Sequence, residues 1–186
     1  MGDVDELDRR ELRRAQAGDG AAFTALVKRY DKRLRALAYG MLGNRDRMDD
    51  VLQEVYLKAF RALPGFRAEA RLGTWLNRIA YNACLDELRR SARRPVPLDP
   101  LDEVIAERGP STASPERSTV DRLTIDQALA VLPPDQRAAV LLVDGEGLDY
   151  EACGDVLGVP SGTVASRLSR ARAALRVTLR SAEEDR

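Results

Sequence analysis

From Phe23 onward, apolar positions fall at Phe23, Leu26, Val27, Tyr30, Leu34, Leu37, Ala38, Met41 and Leu42. Spacings of three and four place them on one face of a helix. Asp19 stands where a cap would start it and Gly43 where a glycine would end it. A second helix follows Asn44 or Asp46, with Val51, Leu52, Val55, Ala59 and Leu63 on its apolar side, and Pro64-Gly65 stops it. After the loop FRAEARLG, Thr74 is placed to cap the helix TWLNRIAYNACLDELRR. Its buried arc is predicted to be Trp75, Leu76, Ile79, Ala80 and Ala83. Arg78, Asn82 and Arg89, spaced by four and seven, line up on another face. The rhythm then fails over residues 93–120, where Pro95, Pro97, Pro100, Pro110 and Pro115 sit among Ser and acidic residues. That composition reads as an extended linker, with a short amphipathic turn over 101–106. Helix resumes at Thr124, running to Pro133-Pro134. Another is expected over 136–143, ended by Gly145 and Gly147. The last stretch splits at Gly158 into a short helix and a longer one. No strand pattern occurs. The fold expected is therefore all-α, two small helical domains at 1–92 and 123–186 joined by an extended linker at 93–122.

Composition narrows the function classes. No apolar run approaches the ~18 residues of a membrane span, and the charged N-terminus MGDVDELDRRELRR has no signal core, so the cytoplasm is the expected location. Two cysteines cannot make a disulfide framework. Cys153 fits a small buried apolar position, while Cys84 is placed beside the polar face of its helix. The chain has no His, which removes the commonest general base and the commonest zinc ligand. With no Walker-type phosphate loop and no metal-spaced cysteines, no catalytic residue, metal or cofactor is expected, and an enzyme is disfavoured.

Charge changes the picture more. Lys+Arg and Asp+Glu balance at 30 each, but in blocks. Residues 67–94 carry seven Arg against three acids, and 160–180 carry five Arg and no acid; the segments 95–127 and 128–159 are acidic. A GC-rich coding sequence would by itself give the excess of Arg over Lys, and many charge runs are merely solvated faces. Two compact basic blocks on predicted helices point further, to a polyanionic partner.

The sharpest signal is the last segment. Val159 precedes Pro160, which breaks the first helix, and Ser161 is placed to cap the second. Val164, Leu168, Ala171 and Leu175 face the core, so Thr163, Ser166 and Arg170 point outward with Arg167 on the flank. This is the layout of a helix-turn-helix. A helix N-terminus attracts phosphate, and outward Arg and Ser side chains can reach base edges.

At these residues a family resemblance enters. YEACGDVLGVPSGTVASRLSRARAAL resembles region four of the bacterial sigma factors, in the extracytoplasmic-function (ECF) class, and LPPDQRAAVLLVDGEGLDYEA resembles the helix before it. DDVLQEVYLKAFRAL is similar to region 2.2, and FRAEARLGTWLNRIAYNACLDELRR to regions 2.3 and 2.4. The motifs come in family order over nearly the whole chain, most like actinobacterial members. The resemblance implies a promoter-specificity subunit of RNA polymerase. It would recognise the minus-ten element through Phe66, Arg78, Asn82 and Arg89, with Phe66 and Asn82 capturing a flipped base. It would read the minus-thirty-five element through Ser161, Thr163, Ser166, Arg167 and Arg170. Asp50, Gln53 and Glu54 match the surface that docks on the β′ coiled coil of core polymerase, and region four would meet the β flap. The acidic linker is similar to the family segment that threads toward the active-site cleft, and an anti-sigma protein is an expected antagonist. Ala165 departs from the family, which commonly has Arg or Lys there, so the minus-thirty-five assignment leans on Ser166, Arg167 and Arg170. No long C-terminal extension is present, so no appended sensor domain is expected. The alternative is a stand-alone helix-turn-helix regulator binding operators as a dimer; no leucine-rich seam outside the lobes supports it.

Overall fold

The computed structural model describes residues 6–67, 71–93 and 125–184. Helix α1 spans Glu6–Gln16, α2 Gly20–Leu42, α3 Arg45–Ala62 and α4 Leu72–Arg93, with a 3-10 turn at Leu63–Gly65. Residues 125–130 form α5. Then come α6, Pro134–Val140, a π turn at Leu141–Gly145, α7, Tyr150–Leu157, and α8, Ser161–Glu184. Among the described residues there is no strand, as the periodicity predicted. The linker and the turn expected over 101–106 lie outside the described residues.

The caps explain several boundaries. The Asp19 carboxylate accepts from the N–H groups of Ala21 and Ala22 at 3.0 Å each, which satisfies orphan donors of α2 and holds that carboxyl below its ordinary range. Gly43 closes α2 at φ +66°, its N–H donating to the Tyr39 carbonyl, a left-handed conformation that costs glycine least. Asn44 then caps α3 through the Arg47 N–H at 2.9 Å.

Three expectations need correction. Thr74 is not a cap: the Trp75 N–H already donates to the Arg71 carbonyl at 3.1 Å, so α4 begins two residues earlier and buries Leu72. Ser161 is the first residue of α8 rather than its side-chain cap, because the N–H groups of Thr163 and Val164 both reach the Pro160 carbonyl. The helix expected over 136–143 is α-helical only to Val140; it then widens, and the Glu146 N–H donates back to Leu141 at 3.1 Å. Helix α1 has no counterpart among the elements that the apolar periodicity predicts. It lays Ala15 into the core with Leu12 against it.

Leu34, Leu37, Met41, Leu52, Val55, Leu76 and Ala80 form the centre of the α2–α4 packing, each essentially buried. In the C-terminal half Val156, Val164 and Leu168 are equally buried, and Leu129, Leu132 and Ala171 make a smaller cluster. The two halves touch along α4 with α7 and along α2 with α6, so one apolar cluster runs through both.

Candidate nucleic-acid interface

The first basic face is built on α4. Arg78, Asn82 and Arg89 are all exposed there, and Arg89 makes only a loose 3.4 Å pair with Asp86. Trp75 precedes Asn82 by seven residues, two turns of helix, so it heads the same stripe. Against Trp75 sits Phe66, half-buried, with ring centroids 5.1 Å apart and planes tilted by 48°. The structure thus brings the four residues expected for minus-ten recognition to one side of the first lobe. What positions Phe66 went unnoticed in the sequence: Gln16 of α1 donates through Nε2 to the Phe66 carbonyl at 2.8 Å and, more weakly, to the Leu63 carbonyl at 3.4 Å. An isolated Gln at a helix end carries no sequence signal for that long-range contact.

Helix α3 presents a different surface. Asp50 and Gln53 are exposed. Glu54 bonds Lys58 at 2.7 Å and Arg90 at 3.4 Å, and the Lys58 hydrogen bond holds its carboxyl below the ordinary range. Next to these acids, Leu57 and Phe60 are exposed at 56% and 37%. Phe60 meets Phe23 edge-on at 5.0 Å, beside a groove lined by Phe23, Val27, Asp31 and Tyr56. Exposed large apolar side chains rimmed by charge mark a surface suited to a protein partner.

The second basic face is the α7–α8 unit. Asp149 caps α7 through the Ala152 N–H at 2.8 Å, and Gly158 turns the chain at φ +68°. A Cβ on Gly154 would stand 2.6 Å from the Val159 carbonyl oxygen. Glycine there lets the turn fold back onto α7, the feature that fixes the angle between the helices. Of the side chains expected to face outward, Ser161 and Arg170 are exposed. Thr163 and Ser166 are half-exposed, and the Ser166 hydroxyl donates to the Thr163 carbonyl at 2.9 Å. Arg167 departs from the expectation: only 21% of its side chain is exposed, and it pairs with Asp135 of α6 at 3.0 Å. Arg172 is likewise held by Asp144 through two nitrogens. Arg170 therefore stands exposed near the start of α8 with no ion pair among the described residues, as do Arg176 and Arg180 further along the helix.

Both cysteines are fully buried. Burial pushes the Cys84 thiol up to about 12 and Cys153 to about 11, so neither is a thiolate near neutral pH. Cys84 belongs to the core side of α4, not beside its polar face. Among the described residues no group of three acidic, Cys or His side chains is placed to hold a metal, and no helix is long and apolar enough to cross a membrane.

Comparison with known proteins fixes what these surfaces belong to. The family model Sigma-70 region 2 matches residues 26–94, and Sigma-70, region 4 matches residues 122–175. The chain is 41% identical over 161 residues to the ECF RNA polymerase sigma factor SigM of Mycobacterium tuberculosis, covering 86% of this chain and 78% of that one. The chain belongs to the ECF sigma factors. It is also 37% identical over 182 residues to the RNA polymerase sigma-H factor of Pseudomonas aeruginosa, covering 91% of this sigma factor and 92% of the relative. Among solved structures, CnrH in complex with the cytosolic domain of CnrY superposes with a TM-score of 0.71 at 25% identity, over 95% of this chain and 99% of that one. The sigma factor RpoE, in complex with the anti-sigma factor NepR from Bartonella quintana, gives 0.68 at 26%, over 85% and 96%. Membership favours a sigma factor over the stand-alone regulator.

Proposed function

We propose that this sigma factor binds core RNA polymerase in the cytoplasm and directs it to promoters by reading two DNA elements, itself performing no covalent chemistry. The N-terminal domain, residues 1–92, supplies polymerase docking and minus-ten recognition; residues 123–186 supply minus-thirty-five recognition; residues 93–122 tether them. The observation that carries the reading is the stripe on α4, in which the Phe66–Trp75 ring pair leads into exposed Arg78, Asn82 and Arg89.

The physics of that stripe suits a melted strand. A base drawn out of a duplex needs a surface to stack on and a polar group for its pairing edge. Phe66 offers the ring and Asn82 an amide with both donor and acceptor. Arg78 and Arg89 hold phosphates on either side, which positions the strand without reading it. In the second domain the α8 N-terminus, with Ser161 and Thr163, meets a phosphate, while Ser166 and Arg170 reach base edges in the major groove. Arg167 joins them only when it leaves Asp135. On α3, the acids Asp50, Gln53 beside them and Glu54 face the β′ coiled coil, with Leu57 and Phe60 as the apolar part of the contact, and the C-terminal domain meets the β flap. An anti-sigma protein as antagonist is supported by the similar sigma factor RpoE, solved with the anti-sigma factor NepR.

Run-off transcription with core polymerase and genomic fragments tests this. Sequence-selective transcripts that need this chain are expected. Strong, palindrome-dependent operator binding by the chain alone, with no transcripts, would overturn it in favour of the regulator.

A further inference from the structure

The contact between the two halves of the molecule shares one apolar cluster, but buried polar groups are set into it. Asn77 of α4, only 4% exposed, donates through Nδ2 to Glu146 Oε2 at 2.8 Å, across the halves. The other oxygen of that buried carboxylate, Oε1, has no hydrogen-bond partner among the described residues. Arg137 of α6 reaches the Met41 carbonyl at the end of α2 through Nη1 at 2.7 Å, and its buried Nε is also without a partner there. Tyr39 of α2 donates to Asp126 of α5 at 3.1 Å. Around these bonds the packing is close. The Leu141 side chain lies over Gly40 so tightly that a Cβ on the glycine would stand 2.6 Å from Leu141 Cδ2. Two buried polar atoms left unsatisfied on the C-terminal side of this contact weaken it. They do so while the bonds that are made fix a single register, which is how buried polar pairs confer specificity rather than strength.

Function demands that this contact part. Elements about 25 base pairs apart lie roughly 85 Å from each other on B-DNA at about 3.4 Å per base pair. Halves packed along α4 and α7 cannot reach both, whereas the chain over 94–124, at up to about 3.4 Å per residue, is long enough to let them. The packing of α7 on α4 also brings the charges of Arg167 and Asp135 near Tyr81, a buried residue of α4.

Resting on the sigma-factor reading above, we infer that the Asn77–Glu146 and Arg137–Met41 bonds, with Leu141 seated on Gly40, form a latch that holds the free factor closed, and that polymerase binding must open it. A chain closed nine-tenths of the time binds about tenfold more weakly than its open form.

Two variants of the full chain test this by different routes. Gly40→Leu drives a wedge under Leu141 without removing a polar group. Asn77→Asp sets a carboxylate against Glu146. Small-angle scattering of the free protein should show a compact wild type and a larger maximum dimension for both variants, with helical content by circular dichroism retained. The apparent Kd for core polymerase should fall about three- to tenfold in both. A wild type already extended, variants that stay compact, or opened variants with unchanged affinity would each overturn the latch. A compact wild type that opens in the variants but never binds core polymerase would instead overturn the sigma-factor reading, and the latch with it as a control on polymerase.

Discussion

Asn82 and Arg170 sit on different basic faces, both exposed and neither needed by the core. Replacing either by Ala should therefore lower promoter-specific run-off transcription, by about 1–3 kcal/mol of discrimination for each lost base contact, while the thermal midpoint stays put. Gln16 is different in kind, because it acts through Phe66. Gln16→Ala releases the Phe66 and Leu63 carbonyls, so the loop loses its anchor. Since Trp75 is the sole tryptophan and lies against Phe66, its emission should shift in this variant, and selectivity at the minus-ten element should fall while minus-thirty-five selectivity holds. Gln16→Glu, which accepts but does not donate when charged, should behave like the alanine; unchanged emission in both would argue that Gln16 has no hold on the ring. At this scale the exposed stripe was legible, since spacing alone aligns Arg78, Asn82 and Arg89. Gln16, Asn77 and Glu146 were not, because each acts on a partner tens of residues away and no periodicity records such a pairing.

Elements were read well where a cap chemistry agrees with an apolar period. Asp19 and Gly43 bound α2 as expected, and of the two starts open for α3, Asn44 and Asp46, the Asn44 amide takes the cap, since a carboxylate or amide oxygen and a left-handed glycine are local devices. Thr74 and Ser161 misled because a polar residue near a helix start resembles a cap even when a backbone carbonyl one or more residues earlier already does that work. Helix α1 was hidden by its charge: few apolar positions suffice when one side only grazes the core. In the α7–α8 unit the decisive residue is Gly154, whose α-carbon faces the Val159 carbonyl. Gly154→Ala has no flexible neighbour to displace, only backbone, and should destabilise the C-terminal half by about 1–3 kcal/mol, the range for overpacking. Thermal unfolding and minus-thirty-five-dependent transcription should fall together. Gly162→Ala, where added Cβ meets nothing within 4 Å, should leave folding intact.

At the scale of the whole molecule, Glu146 is the group through which a response to protons is expected. Burial raises its carboxyl above the ordinary value of 4.5, against the Asn77 hydrogen bond and the charge of Arg33. A carboxyl with a raised value in the closed form favours closure in its protonated state. That contribution is complete below about 4.5 and is lost as the pH climbs through the raised value. Acidification from neutrality should therefore shrink the free factor in scattering. Glu146→Gln should keep it compact at neutral pH, flatten the pH response and weaken polymerase binding, opposite in sign to Gly40→Leu. Such cross-molecule coupling was illegible in the sequence, where the acidic and basic blocks spoke only of partners outside the chain. The Arg137 fork carries one more consequence. Its guanidinium serves the Ala130 and Leu132 carbonyls of its own half as well as the Met41 carbonyl of the other. The longest helix of the N-terminal half thus has a terminal carbonyl served in trans, and Arg137→Lys, a single point of charge, could not reach all three oxygens. Severing the chain in its tether would leave that helix end to water, and its last turn would fray first in hydrogen exchange.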